Sequence, residues 1–402
     1  MKTVIIGGSH AALSAAAELR KLSAEAEIVI ISSDRELPYQ RPPLSKAYMS
    51  GKSTFEQILL RPEDWYATNR IGLKLGVFAD HIDRGQKIVH LADGEALAYN
   101  RLLVATGARP RRLPEDIGGH LPNVHVMRDL DDAHALMDQM KDGARLVVIG
   151  GGYIGLEAAS EASKKGATVT VIEAADRILK RVACAETADD VRALHHAHGV
   201  RIFENAELKQ IVEDGGRATG VELSDGSVIA ADFIVTGIGV TPDVALADQA
   251  GLTIANGVVV DRELRSSDPE IFAIGDCASF PYGGHHIRLE SVQNANDMGL
   301  IAARNMLGDS VDYNPTPWFW SDQFELKLQI AGLNTGYDQV VTRPGARDGA
   351  KSHFYFREGR FLAADCLNDG ATYMVARRIL EGGKVLTPEQ VADAGFALKS
   401  LL

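Results

Sequence analysis

The 402-residue sequence predicts an α/β fold: two Rossmann-like dinucleotide-binding domains followed by a C-terminal α+β domain. Three observations carry this expectation. A β-branched run, a small-residue turn and an Ala-rich helical stretch follow one another from Thr3 to Leu22. The same order returns from Arg145 to Lys165, now with a full Gly-x-Gly-x-x-Gly turn. Beyond Trp318 the pattern changes to short strand-like runs joined by tight turns, with a late helix. Strands alternating with helices argue for parallel sheets, whereas a run of strands with helix cover argues for α+β.

In the first unit, Thr3 to Ile6 reads as a buried strand. Gly7-Gly8-Ser9-His10-Ala11-Ala12 forms the turn, a helix runs to about Leu22, and a second strand spans Glu27 to Ile31. Ser32-Ser33-Asp34 gives that strand a polar end. Such a turn lets backbone approach a pyrophosphate with no Cβ in the way. It also presents the free N–H groups and partial positive charge of a helix N-terminus. Ser9 stands where the motif has its second Gly and Ala12 where it has its third, a place where Ala is common. Lys2 and the apolar stretch to Ala17 could imitate a signal peptide, but Gly7 to His10 interrupt the stretch, so the strand–turn–helix reading is preferred.

The second unit meets every contextual condition of the motif. Arg145 to Ile149 is the strand, Gly150-Gly151-Gly152-Tyr153-Ile154-Gly155 the turn, and Leu156 to Lys165 the helix, closed by Gly166. Thr168 to Ile172 is the next strand, and Glu173 stands at its end. That is roughly the 20-residue spacing at which an acid binds the coenzyme ribose. A carboxylate there accepts from a free 2′-hydroxyl and repels a 2′-phosphate, which favours NADH. Arg177 and Arg181 follow and keep NADPH open as the alternative. Two dinucleotides in one chain suggest hydride exchange between a nicotinamide and a flavin, with the flavin on the N-terminal unit.

Beyond these units, Phe324 to Ala331 and Gln339 to Arg343 read as strands. His353 to Arg357 and Arg360 to Cys366 read as a hairpin around Glu358-Gly359, and Ala371 to Leu380 as a helix.

Composition narrows the function classes. With 42 Lys and Arg against 54 Asp and Glu, the formal net charge is −12, which argues against nucleic-acid binding. No apolar stretch reaches the length of a membrane span. The three cysteines, Cys184, Cys277 and Cys366, form no C-x-x-C or C-x-x-x-x-C pair. That spacing disfavours a disulfide framework, a cysteine-held iron–sulfur cluster and a redox dithiol, and it fits a reducing, cytoplasmic setting. His195, His196 and His198, with Glu204 nearby, read as a solvated helix end and not as a metal site. His285-His286 reads as a loop.

Arg101 to Arg109 (Arg-Leu-Leu-Val-Ala-Thr-Gly-Ala-Arg) and Ile271 to Ala278 (Ile-Phe-Ala-Ile-Gly-Asp-Cys-Ala) resemble flavin-side motifs of the two-dinucleotide-binding-domain flavoprotein reductases. Arg41-Pro42-Pro43-Leu44-Ser45-Lys46 and Pro317-Trp318-Phe319-Trp320-Ser321-Asp322-Gln323 resemble, more narrowly, the FAD-dependent, NADH-linked ferredoxin reductases of bacterial oxygenase systems. Rubredoxin reductases and the apoptosis-inducing-factor family are more distant cousins.

The resemblance implies an FAD domain made of residues 1–113 and 242–317, an NAD domain of 114–241 and a C-terminal domain of 318–402. It implies non-covalent FAD held by Gly7, Ser9, His10, Ala11, Ala12, Arg41, Ala79, Thr106, Gly107, Arg128, Gly275 and Asp276, with Ser33 or Asp34 at the ribose. Ser291, Val292, Lys46 and Trp320 would approach the flavin ring. NADH would meet Gly150, Gly152, Tyr153, Ile154, Gly155, Glu157, Glu173, Arg181, Gly237, Ile238 and Gly239. The catalytic set would be Lys46, paired with Glu157, together with Glu290 and Trp320.

The activity implied is hydride transfer from NADH to FAD, then single-electron transfer to a [2Fe–2S] ferredoxin. That ferredoxin would serve a haem-thiolate monooxygenase or a ring-hydroxylating dioxygenase. Rubredoxin reduction, or NADH sensing of the apoptosis-inducing-factor type, are the alternatives. A disulfide or peroxide reductase would need a redox cysteine near the flavin, and Leu37 to Lys46 holds none. Arg109, Arg111 and Arg112, or Arg377, Arg378 and Lys384, are the basic groups available to an acidic partner. The chain is taken as a monomer.

Overall fold

The computed structural model describes residues 1–402. The chain divides into two compact units. The first comprises Met1–Arg41, Thr54–Arg109 and Val240–Pro315; the second comprises Pro42–Ser53, Pro110–Gly239 and Thr316–Leu402.

The first unit is built on a five-stranded parallel sheet in the order Ile271–Ala273, Arg101–Val104, Lys2–Ile6, Glu27–Ser32, Ile71–Leu75. These strands are nearly continuous apolar runs because a parallel sheet is buried on both faces. Val4, Ile5, Ile28, Ile30, Leu102 and Leu103 are at most 1% exposed. Helices His10–Leu22 and Val292–Met306 pack against each other. A Cβ on Gly299 would stand 2.8 Å from the Ala11 carbonyl oxygen, so only glycine permits this approach. A small antiparallel sheet of Ala79–Asp83, Ile88–Leu91 and Ala96–Ala98 completes the unit, with a hairpin of Ala278–Tyr282 and His285–Ile287. His285 and His286, expected in a loop, therefore lie in a short strand.

The second unit repeats the design. Its parallel sheet runs Arg201–Phe203, Thr168–Ile172, Arg145–Ile149, Phe233–Thr236, Val124–His125. Helix Tyr153–Lys164 follows the central strand, and Gly166 after it takes φ +87°, the left-handed turn expected of a helix stop. A second sheet in this unit is antiparallel, ordered Trp318–Gln323, Leu326–Gly332, Arg360–Leu367, Lys351–Arg357, Gln339–Pro344. Helix Gly370–Glu381 covers one face, where Phe354, Phe356, Cys366, Tyr373 and Ile379 form the core. The strand expected at Phe324 to Ala331 starts instead at Leu326. Phe324 sits in the preceding hairpin turn at φ +51°, and Trp318–Gln323 is a strand of its own. No helix is long and apolar enough to cross a membrane.

Candidate functional site

The glycine-rich turns lie at the carboxyl ends of the parallel strands, where open α/β sheets bind ligands. In the first unit Gly7 takes φ +122°, and a Cβ there would stand 2.1 Å from the Ala105 carbonyl oxygen. The turn is thereby pressed against the end of strand Arg101–Val104, just before Thr106 and Gly107. Thr106 Oγ1 donates to the Asp243 carbonyl at 2.6 Å. Gly275 joins the same edge: a Cβ on it would be 3.2 Å from the Ala11 side chain. Asp276 follows in the turn Gly275–Cys277, and its carbonyl accepts from Arg288 Nη1 at 3.2 Å. Gly7, Ala11, Thr106 and Gly275 are thus brought together.

Helices His10–Leu22 and Tyr153–Lys164 share an unusual start. Their N-cap residues, Ser9 and Gly152, make no side-chain capping bond. The other helices of ten or more residues are all capped by a side chain, from Asp129, Cys184, Ser291 and Asp369. Two helix ends therefore keep first-turn N–H groups available to an anion. A Cβ on Gly152 would meet nothing nearer than 3.9 Å, which leaves the backbone open to an incoming phosphate. His10 points a buried Nε2 at no protein partner, and burial with the nearby Arg41 charge lowers its pKa to about 4. The residues present fit a dinucleotide at each turn.

At the ribose position of the first unit, Ser33 is exposed and Asp34 is half-buried. Asp34 Oδ2 lies 2.5 Å from Arg41 Nη2, and Arg41 also reaches the Tyr39 hydroxyl at 2.8 Å. Ala79 opens the small antiparallel sheet. Ser291 caps helix Val292–Met306 by accepting from Asn294 N at 3.1 Å, which places Val292 at its first position. Glu290 is paired with Arg288 at 2.6 Å.

In the second unit, a Cβ on Gly155 would stand 2.3 Å from the Gly150 carbonyl oxygen, and one on Gly150 2.6 Å from that of Gly237. This ties the turn to the Gly237-Ile238-Gly239 loop. Glu173 accepts from Gly151 N and Ala175 N, both at 2.8 Å, which fixes its carboxylate beside the turn. Arg181 approaches Gly239: its Nη2 would lie 3.6 Å from a Cβ there. Ile154 is an exposed apolar side chain at the helix start. The Tyr153 ring lies 5.1 Å from that of Phe319, tilted by 38°, and burial drives its pKa well above the usual value. Arg128 N donates to Asp132 Oδ2 at 2.9 Å.

Lys46 and Glu157 form a buried pair in this unit, Nζ to Oε2 at 2.6 Å, with side chains 18% and 4% exposed. Ser45 Oγ donates to the same oxygen at 2.8 Å, and Ser321 Oγ donates to Oε1 at 2.7 Å. Trp320 precedes Ser321 in its strand and lies 5.8 Å from Trp318, ring to ring. Sequence reasoning singled out Lys46, Glu157 and Trp320 and missed Ser45, Ser321 and Gln323, the partner of Ser321. It also misjudged His195. That residue is fully buried, not solvated, because Gln323 and Phe324 from the C-terminal sheet cover it.

The cysteines are all free and buried. Burial raises the Cys184 thiol to about 11 and pushes Cys277 and Cys366 upward as well. Thiols held protonated are poor nucleophiles and poor disulfide partners. Among the basic groups, Arg109 is paired with Asp243 at 2.8 Å. Arg377 is paired with Glu381 at 2.7 Å, and it lies over the Trp318 ring.

Comparison with known proteins gives two family matches. Residues 1–299 match the pyridine nucleotide-disulphide oxidoreductase model, and residues 318–402 match the reductase C-terminal model. The chain is 43% identical to rhodocoxin reductase of Rhodococcus erythropolis, over 99% of this chain and 94% of that one. Its fold matches the crystal structure of the ferredoxin reductase for the CYP199A2 system of Rhodopseudomonas palustris, with TM-score 0.96, 40% identity and 99% of both chains covered. The covalent putidaredoxin reductase–putidaredoxin complex matches with TM-score 0.96 and 36% identity, covering 100% of this chain and 97% of that one.

Proposed function

The chain belongs to the pyridine nucleotide-disulphide oxidoreductase family and is an FAD-dependent NADH:ferredoxin oxidoreductase, and we propose that its acceptor is a small [2Fe–2S] ferredoxin feeding a haem-thiolate monooxygenase or a ring-hydroxylating dioxygenase. One observation carries the reading: two nucleotide turns with open helix N-termini coexist with three thiols that are all buried and held protonated. FAD held at the first turn would supply two-electron acceptance from NADH and release of electrons one at a time. With no usable dithiol to receive them, the electrons must leave to an external carrier.

In this reading the residues of the chain bind, orient and supply fixed charge. Gly7 to Ala12, Thr106, Gly107, Arg128, Gly275 and Asp276 hold FAD, and Asp34 with Arg41 closes its ribose end. Gly150 to Gly155 and Gly237 to Gly239 hold NADH. Glu173 selects it over NADPH, because its carboxylate repels a 2′-phosphate. The Lys46 ammonium, held by Glu157, offers a preorganised positive charge to the flavin ring as negative charge develops there. Trp320 would wall the ring, and Glu290, Ser291 and Val292 would approach its pyrimidine end. An acidic ferredoxin would have to dock on a local basic patch against the chain's net charge of −12. The reading places the protein in the cytoplasm, as a monomer.

The test is NADH-driven cytochrome c reduction with ferredoxin, with rubredoxin and with neither. Stimulation of about tenfold by the ferredoxin alone is expected, a rate ratio worth about 1.4 kcal/mol in barrier. Stimulation by rubredoxin alone would reassign the acceptor, and stimulation by neither would favour a sensor.

A further inference from the structure

The Lys46–Glu157 pair is one end of a longer hydrogen-bonded chain. Glu157 Oε1 faces the Ser321 hydroxyl at 2.7 Å. Ser321 Oγ lies 3.1 Å from Gln323 Nε2, and Gln323 Oε1 lies 2.8 Å from His195 Nε2. Ser321, Gln323 and His195 have no exposed surface, and Glu157 is 4% exposed. Ser321 and Gln323 are two apart on strand Trp318–Gln323, so both point to the same face. Glu157 and His195 come from two different helices, Tyr153–Lys164 and Ala185–Ala197.

The direction of this chain follows from its charged end. A carboxylate can only accept, so Ser321 must donate its hydrogen to Glu157. The Ser321 oxygen is then an acceptor and takes the amide N–H of Gln323. That orients the Gln323 carbonyl toward His195, which must carry its hydrogen on Nε2. Two separate features of His195 agree. Its Nδ1 is buried without a partner, as suits a nitrogen with no hydrogen to place. Burial also lowers its pKa to about 4, so the ring is neutral at physiological pH. An apolar residue could fill this space without an orphaned nitrogen, so the imidazole is explained by the bond it donates.

The two carboxylate oxygens are held differently. Oε2 receives Lys46 and Ser45, whereas Oε1 receives Ser321. A carboxylate pinned through Oε1 cannot turn, and the ammonium on Oε2 stays where it is. We propose that Gln323 and His195 are positioning residues for hydride acceptance: by holding the Ser321 hydrogen on Glu157 they fix the place of the Lys46 charge. This rests on the reading that Lys46 serves the flavin.

The experiment compares Gln323→Glu, His195→Leu and His195→Gln with wild type and with Lys46→Met, all loaded with FAD. Gln323→Glu puts a competing acceptor beside Ser321 and turns its hydroxyl away from Glu157. His195→Leu removes the terminal donor, and His195→Gln restores one. Expected for Gln323→Glu is flavin reduction at saturating NADH slowed about tenfold with unchanged NADH affinity, the loss of one hydrogen bond to a charged group. The two-electron flavin potential is expected to fall by about 30 mV, the equivalent of a tenfold change in the equilibrium. His195→Leu should move both readouts in the same direction, and His195→Gln should return them to within about twofold of wild type. If Lys46→Met shifts potential and rate but the Gln323 and His195 variants do not, the positioning role is refuted while the Lys46 reading stands. If Lys46→Met shifts neither, both fall. One readout is independent of turnover: ¹⁵N NMR of the FAD-loaded protein, with the His195 ring identified by its loss in His195→Gln, should show hydrogen on Nε2 alone, and hydrogen on Nδ1 would overturn the proposal.

Discussion

Replacing Lys46 by Met removes the only cation on a carboxylate that is 4% exposed. Breaking a buried ion pair from one side costs about 3–5 kcal/mol, because the remaining charge is stranded. Glu157 keeps the hydroxyls of Ser45 and Ser321, at 2.8 and 2.7 Å, so the lower end applies, about 3 kcal/mol. For a unit of this size, where 1 kcal/mol moves Tm by about 2–4 °C, the melting point should fall by about 6–12 °C. Lys46→Met combined with Glu157→Gln removes both charges while keeping a carbonyl oxygen for a buried hydroxyl, and should melt above Lys46→Met alone. The assay is a double-mutant cycle by thermal and urea unfolding at one fixed FAD concentration, with the FAD Kd of each variant measured so that its mass-action contribution is subtracted. Additive losses in the double variant would show that the pair is not coupled and would refute this account of how the charge is held.

Three further perturbations address other parts. Gly155→Ala places a Cβ 2.3 Å from the Gly150 carbonyl, and at an overpacking cost of about 1–3 kcal/mol the NADH Kd should rise about tenfold or more with FAD content unchanged; isothermal titration checks this. Glu173→Ala frees Gly151 N and Ala175 N and lifts the repulsion of a 2′-phosphate, so kcat/KM for NADPH relative to NADH should rise at least about tenfold. Asp365 is fully buried, its Oδ1 is unpartnered, and burial raises its pKa to about 6. The folded state therefore binds the proton more tightly than the unfolded chain, and Asp365 withdraws stability as pH rises from about 4 to about 6. His195, at about 4 when folded, acts in the opposite sense over much of the same range and masks this in the wild type. Asp365→Asn should unmask it: its stability relative to wild type should increase by about 3 kcal/mol between pH 4 and pH 7 in urea titrations, and a pH-independent difference would contradict the assignment.

The two parallel sheets were legible because both their faces are buried, which gives their central strands unbroken apolar runs, Val4 to Ile6 and Leu146 to Ile149. Their turns were legible because only small residues fit there, as Gly150 and Gly155 show. Strand Trp318–Gln323 was less so. Its three large aromatics are only half-buried while Ser321 and Gln323 are fully buried, an inversion of the usual pattern that a polar network explains. The burial of His195 was out of reach of local reading, since its partner Gln323 is 128 positions away. Lys46 and Glu157, 111 positions apart, could be paired from sequence only through the family resemblance. In the small sheets at Ala79–Ala98 and Leu208–Ala230, strands such as Ile88–Leu91 alternate over only three or four residues and Ala79–Asp83 and Leu208–Asp214 bury a single residue each, so the period is too short to read.

Electrons pass from NADH through FAD to a ferredoxin. The most direct measurement is anaerobic and sequential: reduce the FAD-loaded protein with one equivalent of NADH, then mix it with oxidised [2Fe–2S] ferredoxin and follow both chromophores. Rapid flavin bleaching by NADH is expected, then flavin reoxidation in step with reduction of two ferredoxins. A flavin that NADH bleaches but that stays reduced beside ferredoxin would contradict it.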